Sequence, residues 1–362
     1  MHNMKPRVAI IYLCHGNLRH LPEVVSSFAH LDYPRDRLAI IMIPNDSPDG
    51  IAEVIGREVL PRSAGDLPEV VLIDDGMNRG FAGGNNLGIR WALEHGFDYV
   101  FLNNGDLKLH QSAITELVRQ AQTDERIGSV QSLVFYWDDH EKINVSGGLL
   151  HIAGYGYARN NNENIGEVSL KDGEDITYAS GAAVLYRTDA LKHVGMLEEG
   201  FFMYHEDLEL GLRLRIAGFR NVLATRSWAY HDYGFKRNPK KFAWMELYRW
   251  IVVLSYYKAR TLILISPVLL VIELGTWAMA LKGGWLSAKF WAYGQLFKPS
   301  NQQLLIKMRR RAQRLRTIKD RHLLQFVTGR IEGQETSNFV VEKLANPILD
   351  RTVRLIRKII FW

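Results

Sequence analysis

The sequence predicts an α/β fold in which a mostly parallel sheet has helices on both faces. Four short apolar runs of strand length occur before residue 105, and segments with apolar residues at helical spacing separate them. Each run is followed by residues typical of turns, such as Gly, Asn, Asp and Pro. Strands that alternate with helices pair in parallel, and ligands bind at the carboxyl ends of such strands.

The individual elements follow from the same patterns. The four early strands are predicted at residues 8–13, 38–43, 70–73 and 99–102. Helices are predicted from near Asn17 and over residues 51–60 and 82–95. Three later strands are predicted at residues 127–134, 144–150 and 221–224, the last one followed by a loop with the sequence TRSWAY.

Composition and charge divide the chain into two parts. Residues 1–235 contain 21 Lys and Arg against 32 Asp and Glu, whereas residues 236–362 contain 24 against 7. We therefore predict a domain over 1–235 and a basic, apolar helical region over 236–362. Because the basic part is also rich in Trp, Leu and Ile, its charge favours an anionic membrane surface and argues against nucleic acid. The single Cys14 excludes an internal disulfide and a cysteine-based zinc site.

The most apolar segment covers residues 261–281, which is long enough to cross a bilayer. Glu273 and Pro267 lie within it, and a carboxylate near the middle of a span costs about 2.5–3.5 kcal/mol. Three arrangements remain open: an interfacial or embedded helical hairpin, a true span, and a soluble helical core. A basic run at 306–321 and a helix with an apolar stripe from Asn346 also fit a membrane surface.

Acidic residues, glycines and histidines concentrate in the stretch 195–231. Aromatic residues there precede the adjacent acids Glu206 and Asp207, after which leucines repeat at helical spacing until Gly218. From the residues alone, the two carboxylates lie at a helix start, where backbone N–H groups and the helix dipole stabilise them.

Four motifs together resemble family 2 glycosyltransferases of the rhamnosyltransferase-like branch. They are the run NRGFAGGNNLG at 78–88, the strand end NNGD at 103–106, the loop SGAAVLYR at 180–187 and FFMYHED at 201–207. The resemblance covers most of the first 235 residues. It implies the GT-A nucleotide-diphospho-sugar transferase fold. From their composition, residues 236–362 are expected to follow it as a membrane-associated helical segment.

The resemblance also implies roles for individual residues. Asp207 would be the general base that deprotonates the acceptor hydroxyl, with Glu206 and the helix start holding it. Asp106 and His231 would hold Mg²⁺ or Mn²⁺ beside the donor diphosphate. The nucleotide sugar would be bound by a larger set, namely Asn45, Asp46, Ser47, Asp49, Arg79, Gly83, Asn86, Asn104 and Gly181.

One loop departs from the family pattern. The stretch 44–50 reads PNDSPDG, and Pro44 stands where the family has an Asp that contacts the nucleotide. Asp46 can take the place of that carboxylate only if the loop adopts a different local conformation. The base of the nucleotide is therefore left open by the sequence.

These features predict a metal-dependent, inverting glycosyltransferase that uses a nucleoside-diphosphate sugar donor. The expected acceptor is a lipid-linked saccharide or another cell-envelope glycan. Because the N-terminus has no long apolar stretch, we expect no cleavable signal peptide and a location on the cytoplasmic face of the cell membrane. The alternatives are transfer to a polyprenyl phosphate, or a non-catalytic homologue that binds sugar nucleotides or glycans.

Overall fold

The computed structural model describes residues 4–234, 239–332 and 341–362. The chain divides into two compact units. The first contains the chain up to Gly148 together with Ala158–Phe202 and Phe219–Gly234. The second contains Leu149–Tyr157, Met203–Gly218 and the chain after Gly234. The border predicted at 235 and 236 lies outside the described residues and stays a prediction.

The first unit is built on one large sheet. Its strands are β1 (Val8–Leu13), β2 (Leu38–Ile43), β3 (Glu69–Leu72), β4 (Tyr99–Asn104), β5 (Leu107–Leu109), β6 (Ile127–Tyr136) and β7 (Ile143–Val145), with β10 (Ala183–Arg187) and β11 (Arg220–His231) further along the chain. The strand order is β3-β2-β1-β4-β10-β6-β11-β5, and β7 pairs with β6. Strands β3, β2, β1 and β4 are mutually parallel, as predicted. The rest of the sheet is mixed, because β10, β5 and β7 run antiparallel to their neighbours.

Helices cover both faces of this sheet. They are α1 (Leu21–Ala29), α2 (Ile51–Val54), α3 (Gly80–Glu94), α4 (Ala113–Ala121) and α5 (Thr188–Val194). Successive side chains of β1 show the two faces, since Ile11 packs against Gly88 of α3 whereas the ring of Tyr12 meets Phe28 of α1. The strand itself is fully buried, which explains why it is apolar at every position.

Two strand predictions were wrong. Residues 225–230 are not a loop, because β11 continues to His231 across an irregularity between Ala224 and Trp228. The predicted strand 144–150 is two strands, β7 and β8 (Gly148–His151). Gly147 separates them with φ of 129°, a backbone conformation that ends regular strand geometry.

The second unit is mainly helical. Its helices are α6 (Glu206–Ile216), α7 (Pro239–Tyr256), α8 (Ala259–Lys282), α9 (Leu286–Leu296), α10 (Pro299–Leu315), α11 (Asp320–Leu323) and α12 (Asn346–Ile359). A small sheet accompanies them, in which β8 lies between β12 (Val327–Thr328) and β9 (Gly156–Ala158). Helix α6 is anchored by the fully buried Glu209, which accepts hydrogen bonds from Tyr256, Arg213 and Arg311.

Part of the basic run 306–321 has internal partners. Arg309 donates to the carbonyls of residues 254 and 257, and Arg316 donates to the carbonyl of residue 256. Arg316 also pairs with the buried Asp320 at 2.8 Å. These arginines therefore satisfy the carbonyl end of α7, where a cation is favourable.

Candidate functional site

The polar loops of the first unit meet at the carboxyl edge of its parallel strands. The loop after β1 contains His15 and Asn17, and the loops after β2 and β3 contain Asn45 and Arg79. The turn after β4 ends in Asp106. Parallel pairing of these strands brings their carboxyl ends to one edge, as the sequence predicted.

Asn45 joins two of these loops. Its side-chain oxygen accepts a hydrogen bond from the backbone N–H of Arg79 at 2.9 Å, and its backbone carbonyl lies 3.2 Å from the ring of His15. Asn45 is buried and has φ of 53°, a left-handed conformation that Asn tolerates better than most residues. The guanidinium of Arg79 pairs with Asp75 at 2.5 Å. Both predicted residues are thus held at the edge of the sheet.

Ser47 and Asp49 hold the loop after β1. The Ser47 hydroxyl accepts from the N–H of Gly16 at 2.7 Å and donates to Asp49 at 2.6 Å. Asp49 accepts from the N–H of Leu18 at 2.8 Å. Partial burial would raise the pKa of Asp49, but these hydrogen bonds outweigh it and lower the pKa. Asp46, in contrast, is exposed beside them with φ of 54°.

Asp106 and His231 come together although they are 125 residues apart. His231 is the last residue of β11, and its Nε2 lies 3.2 Å from Oδ1 of Asp106. The N–H of Asp232 donates to the backbone carbonyl of Asp106, which fixes the two chain segments side by side. Burial alone would raise the pKa of Asp106, but the hydrogen bond and charge of His231 outweigh burial, so the pKa lies below 3.8.

The other ring nitrogen of His231 faces an amide. Nδ1 lies 3.1 Å from the side-chain oxygen of the buried Asn144. In the neutral ring, with the proton on Nδ1 donated to Asn144, the Nε2 lone pair is instead directed towards a carboxylate oxygen, and a cation held by both atoms removes the repulsion. Metal-binding histidines are typically oriented by such a hydrogen bond from their second nitrogen. The pair Asp106 and His231 therefore fits a divalent cation.

A cation at this pair would need further ligands. Within the described residues, no group of three or more His, Cys, Asp and Glu side chains is placed to hold a metal ion. Mg²⁺ keeps several waters or substrate oxygens among its ligands and Mn²⁺ suits similar donors, so a diphosphate would complete the site. Asp232, the next residue, is engaged by Arg19 at 2.6 Å and His20 at 2.8 Å.

The turn that carries Asp106 depends on a glycine. A Cβ on Gly105 would lie 2.5 Å from the side chain of Asn17. The carbonyl of Gly105 also accepts a hydrogen bond from the buried hydroxyl of Tyr12 at 3.0 Å. Asn104 closes β4 and donates its N–H to the carbonyl of residue 182, next to the buried Gly181. The predicted Asn104 and Gly181 are thus adjacent.

The glycine-rich run has a packing role that the sequence did not reveal. A Cβ on Gly80 would lie 2.2 Å from the carbonyl of Phe202, and one on Gly84 would lie 2.5 Å from Leu13. Gly83 would meet the side chain of Arg79 at 2.9 Å. The buried amide of Asn86 bonds to the backbone of Leu197 and to Glu199. These contacts show a packing role for Gly83 and Asn86, and nucleotide binding by the two residues stays a prediction.

Glu206 and Asp207 lie at the start of α6, as the sequence predicted. Helix α6 belongs to the second unit. The residues before them, Tyr204 and His205, both have left-handed φ values near 70°. His205 is buried and donates from Nε2 to the carbonyl of Gly154 at 3.0 Å, which fixes this turn. Burial lowers the pKa of His205 to about 4, so its imidazole is neutral.

The two acids differ in environment. Glu206 is buried, and its Oε2 makes no hydrogen bond among the described residues. Burial, and then the charge of Asp207, raise the pKa of Glu206 well above 4.5. Glu206 is therefore the neutral member of the pair over a wider pH range, whereas Asp207 accepts a bond from the N–H of Leu208 at 2.7 Å.

Several residues around the site were not predicted from the sequence. They are Tyr12, Asn17, His20, Asn144 and Asp232, which surround Asp106 and His231, and His205, which precedes the acidic pair. Asn17 and His20 follow a buried strand, which is the signal that located Asp106. Asn144 gave no such signal, because its contact with His231 depends on long-range pairing of β7 with β6.

Comparison with known proteins gave matches in one functional class. Residues 6–252 match the family model described as Glycosyltransferase like family 2. A relative from Haloferax volcanii, the low-salt glycan biosynthesis hexosyltransferase Agl10, is 31% identical over 155 residues. That match covers 41% of this chain and 47% of the relative, so the chain spans about half the length of that relative.

Two solved structures share the fold. The mannosyltransferase PcManGT from Pyrobaculum calidifontis, in complex with GDP-Man and Mn²⁺, is 15% identical, with a TM-score of 0.52 and coverage of 86% of each chain. GalNAc-T7 with UDP, GalNAc and Mn²⁺ is 11% identical, with a TM-score of 0.53 over 72% of this chain and 49% of its own. At these identities the likeness concerns the fold, which is the predicted GT-A fold.

Proposed function

Since the chain belongs to the family described as Glycosyltransferase like family 2, we propose that it transfers a sugar from a nucleoside-diphosphate sugar to an acceptor hydroxyl. The observation that carries this proposal is the approach of Asp106 and His231 at the edge of the parallel strands. An oxygen and a nitrogen ligand there suit a divalent cation beside a diphosphate.

The first unit would bind the donor. The loop with Asn45, Ser47 and Asp49 would face the nucleoside, and Asp106 with His231 would hold Mg²⁺ or Mn²⁺. When bound, such a cation offsets the negative charge that develops on the departing diphosphate. Both solved structures named above contain Mn²⁺ with a nucleotide, which supports this assignment.

Asp207, at the start of α6, would be the base. The Asp207 carboxylate takes the proton of the acceptor hydroxyl while that oxygen attacks the anomeric carbon and the bond from that carbon to the diphosphate oxygen breaks. Attack opposite the leaving group inverts the anomeric configuration. Glu206, which stays protonated more readily, would leave Asp207 as the ionised member of the pair.

The acceptor proposed here is a lipid-linked saccharide or another cell-envelope glycan, with hexosyl or rhamnosyl transfer. The relative from Haloferax volcanii is named for glycan biosynthesis, which agrees with this class. Among the described residues, one helix, α8, is long and apolar enough to cross a membrane by length and composition. We propose that the enzyme associates with the cytoplasmic face of the cell membrane through this part of the chain.

Slow hydrolysis of a panel of nucleoside-diphosphate sugars, with Mn²⁺ and without it, tests the donor proposal. One donor should be hydrolysed in a metal-dependent way, and Asp106→Asn should weaken that dependence. Asp36→Asn provides a matched control, because Asp36 is an exposed carboxylate in the same unit outside the site. Hydrolysis of no donor, or wild-type hydrolysis that is undiminished in excess chelator, would overturn the proposal.

A further inference from the structure

Helix α8 has an exposed apolar side. Its side chains recur at helical spacing and each is at least 60% exposed, namely Ile263, Leu270, Val271, Leu274 and Leu281. The exposed Phe290 of α9 and Phe297, which follows α9, add aromatic surface. A contiguous exposed apolar surface of this kind indicates a site of interaction with a membrane or a protein.

The other side of α8 packs within the second unit. Ile265, Leu269 and Ile272 are buried there, and α9 packs on both α8 and α7. Helix α8 therefore exposes apolar side chains to solvent on one side and buries those on the other. Only one side of it is available to a partner.

Glu273 ties α8 to charged groups that are buried in the unit. Its carboxylate lies 2.5 Å from Arg249 of α7 and 2.6 Å from Lys289 of α9. Arg249 and Lys289 in turn lie 2.7 and 2.9 Å from Glu246. Two cations and two anions thus form a neutral quartet, and three of the four side chains are at most 3% exposed.

The quartet is attached to irregular backbone. Tyr155, in the turn between β8 and β9, donates its hydroxyl to Glu246 at 2.6 Å. Arg249 donates to the carbonyl of residue 153 in the same turn. Strands β8 and β9 belong to an open three-stranded sheet, whose edges have unpaired backbone groups.

These contacts limit the orientations that α8 can adopt in a membrane. If α8 crossed a bilayer, Glu273 near its middle would take the quartet, Tyr155 and the sheet edge into the hydrocarbon core. Sheet edges that face lipid do not occur there, because their backbone groups cannot be satisfied. With α8 parallel to the surface, the exposed side can enter lipid while the quartet stays inside the protein.

We propose that α8 and α9 insert the exposed side of α8 into one leaflet of an anionic membrane without crossing it. The inference rests on the proposed membrane association and specifies its geometry. Apart from Lys289 and Glu273, which are paired within the quartet, residues 258–298 contain four Lys and Arg and no acid. A surface of this charge favours anionic lipid over a second copy of itself, which would present the same positive charge.

Single cysteines in the full-length protein test the geometry on vesicles of phosphatidylcholine and phosphatidylglycerol. Ser287→Cys labels the exposed start of α9, Leu274→Cys labels the apolar side, and wild type with its buried Cys14 is the blank. On bound protein, position 287 should react fully with an impermeant maleimide added outside, while position 274 should be protected. Protection of position 287 from outside, with reaction from the vesicle lumen, would show that the segment crosses and would overturn the proposal.

Two substitutions test which surface binds. Leu270→Asp should lower the fraction of protein that floats with the vesicles at least tenfold. Ile306→Asp on α10 is the matched control, since it adds the same charge at a similarly exposed apolar position. Equal losses in both variants would overturn the assignment to α8. If wild type fails to float with anionic vesicles at low salt, the membrane proposal itself fails, whereas the donor assay is unaffected.

Discussion

Exchanging the two acids at the start of α6 for their amides separates their roles. Asp207→Asn removes the proposed base and keeps the shape of the side chain. Glu206→Gln is the matched change one residue earlier. Because burial and the charge of Asp207 raise the pKa of Glu206, this second change replaces a carboxyl that readily stays protonated with a neutral side chain of the same shape.

The expected magnitudes differ by at least an order of magnitude. A positioned general base contributes roughly 10²–10⁴ to the rate, which corresponds to about 3–5 kcal/mol in the activation barrier. Asp207→Asn should lower kcat by that factor and leave the KM for the donor nearly unchanged, because the amide keeps the shape of the side chain and removes only its basicity. Glu206→Gln should change kcat less than about threefold.

The assay is steady-state transfer to a saturating acceptor, with donor binding measured separately. Retention of more than a tenth of wild-type kcat by Asp207→Asn would refute the assignment. A loss in Glu206→Gln as large as that in Asp207→Asn would show that both carboxyls are needed. A raised KM for the donor with unchanged kcat would place Asp207 in donor binding.

The raised pKa of Glu206 also predicts how the free energy of unfolding depends on pH. Its folded pKa lies above the unfolded value of about 4.5, so the folded state holds the proton over the pH range between them. Within that range, this one proton contributes a fall of about 1.4 kcal/mol per pH unit in the free energy of unfolding as the pH rises, opposite in sign to the contribution of the buried histidines. Glu206→Gln should remove this slope, which chemical denaturation at several pH values would detect.

The remaining predictions concern the metal, a buried charge and two histidines. Asp106→Asn and His231→Gln should each weaken Mn²⁺-dependent donor binding tenfold or more, and calorimetry with the donor and Mn²⁺ measures this. Glu273→Gln leaves two buried cations with one anion, so the unfolding free energy of the second unit should fall by about 3 kcal/mol in urea titrations. Burial lowers the pKa values of His205 and His151 to about 4, so stability should fall as the pH drops from about 6.5 towards 4. A thermal midpoint that is constant over this range would contradict the burial of both imidazoles.

The sequence predicted those elements whose pattern is local. Strands β1 and β2 have the predicted bounds, because each is a fully buried apolar run that ends at turn residues. The predicted strand ends at residue 224, well before the end of β11, because Thr225, Arg226 and Ser227 are polar and lack strand alternation. Its pairing with β6 shifts register there, and a register shift depends on the neighbouring strand and leaves no local signal.

The site shows the same division between local and long-range information. The sequence predicts Asp106 as a site residue because this carboxylate follows a buried strand. The parallel topology then places it at the carboxyl edge of the sheet, where ligands bind. Donor binding by Gly83 and Asn86 stays a prediction, because a small residue or an amide serves a tight protein contact as well as it serves a ligand. The contacts of Asn86 with residues 197 and 199, more than 100 positions away, had no local signal in the sequence.

Many basic side chains in residues 236–362 have hydrogen-bond or ion-pair partners inside the protein, which changes the membrane binding expected from the net charge. Its excess of basic residues suggested a large electrostatic attraction to anionic lipid. Arg309 and Arg316, however, bond to carbonyls at the end of α7, and Arg357 bonds to the carbonyls of residues 324 and 327. Arg249 and Lys289 are neutralised in the quartet with Glu246 and Glu273. Binding should therefore depend less steeply on salt than the net charge implies, and the apolar side of α8, which salt does not screen, carries the remainder.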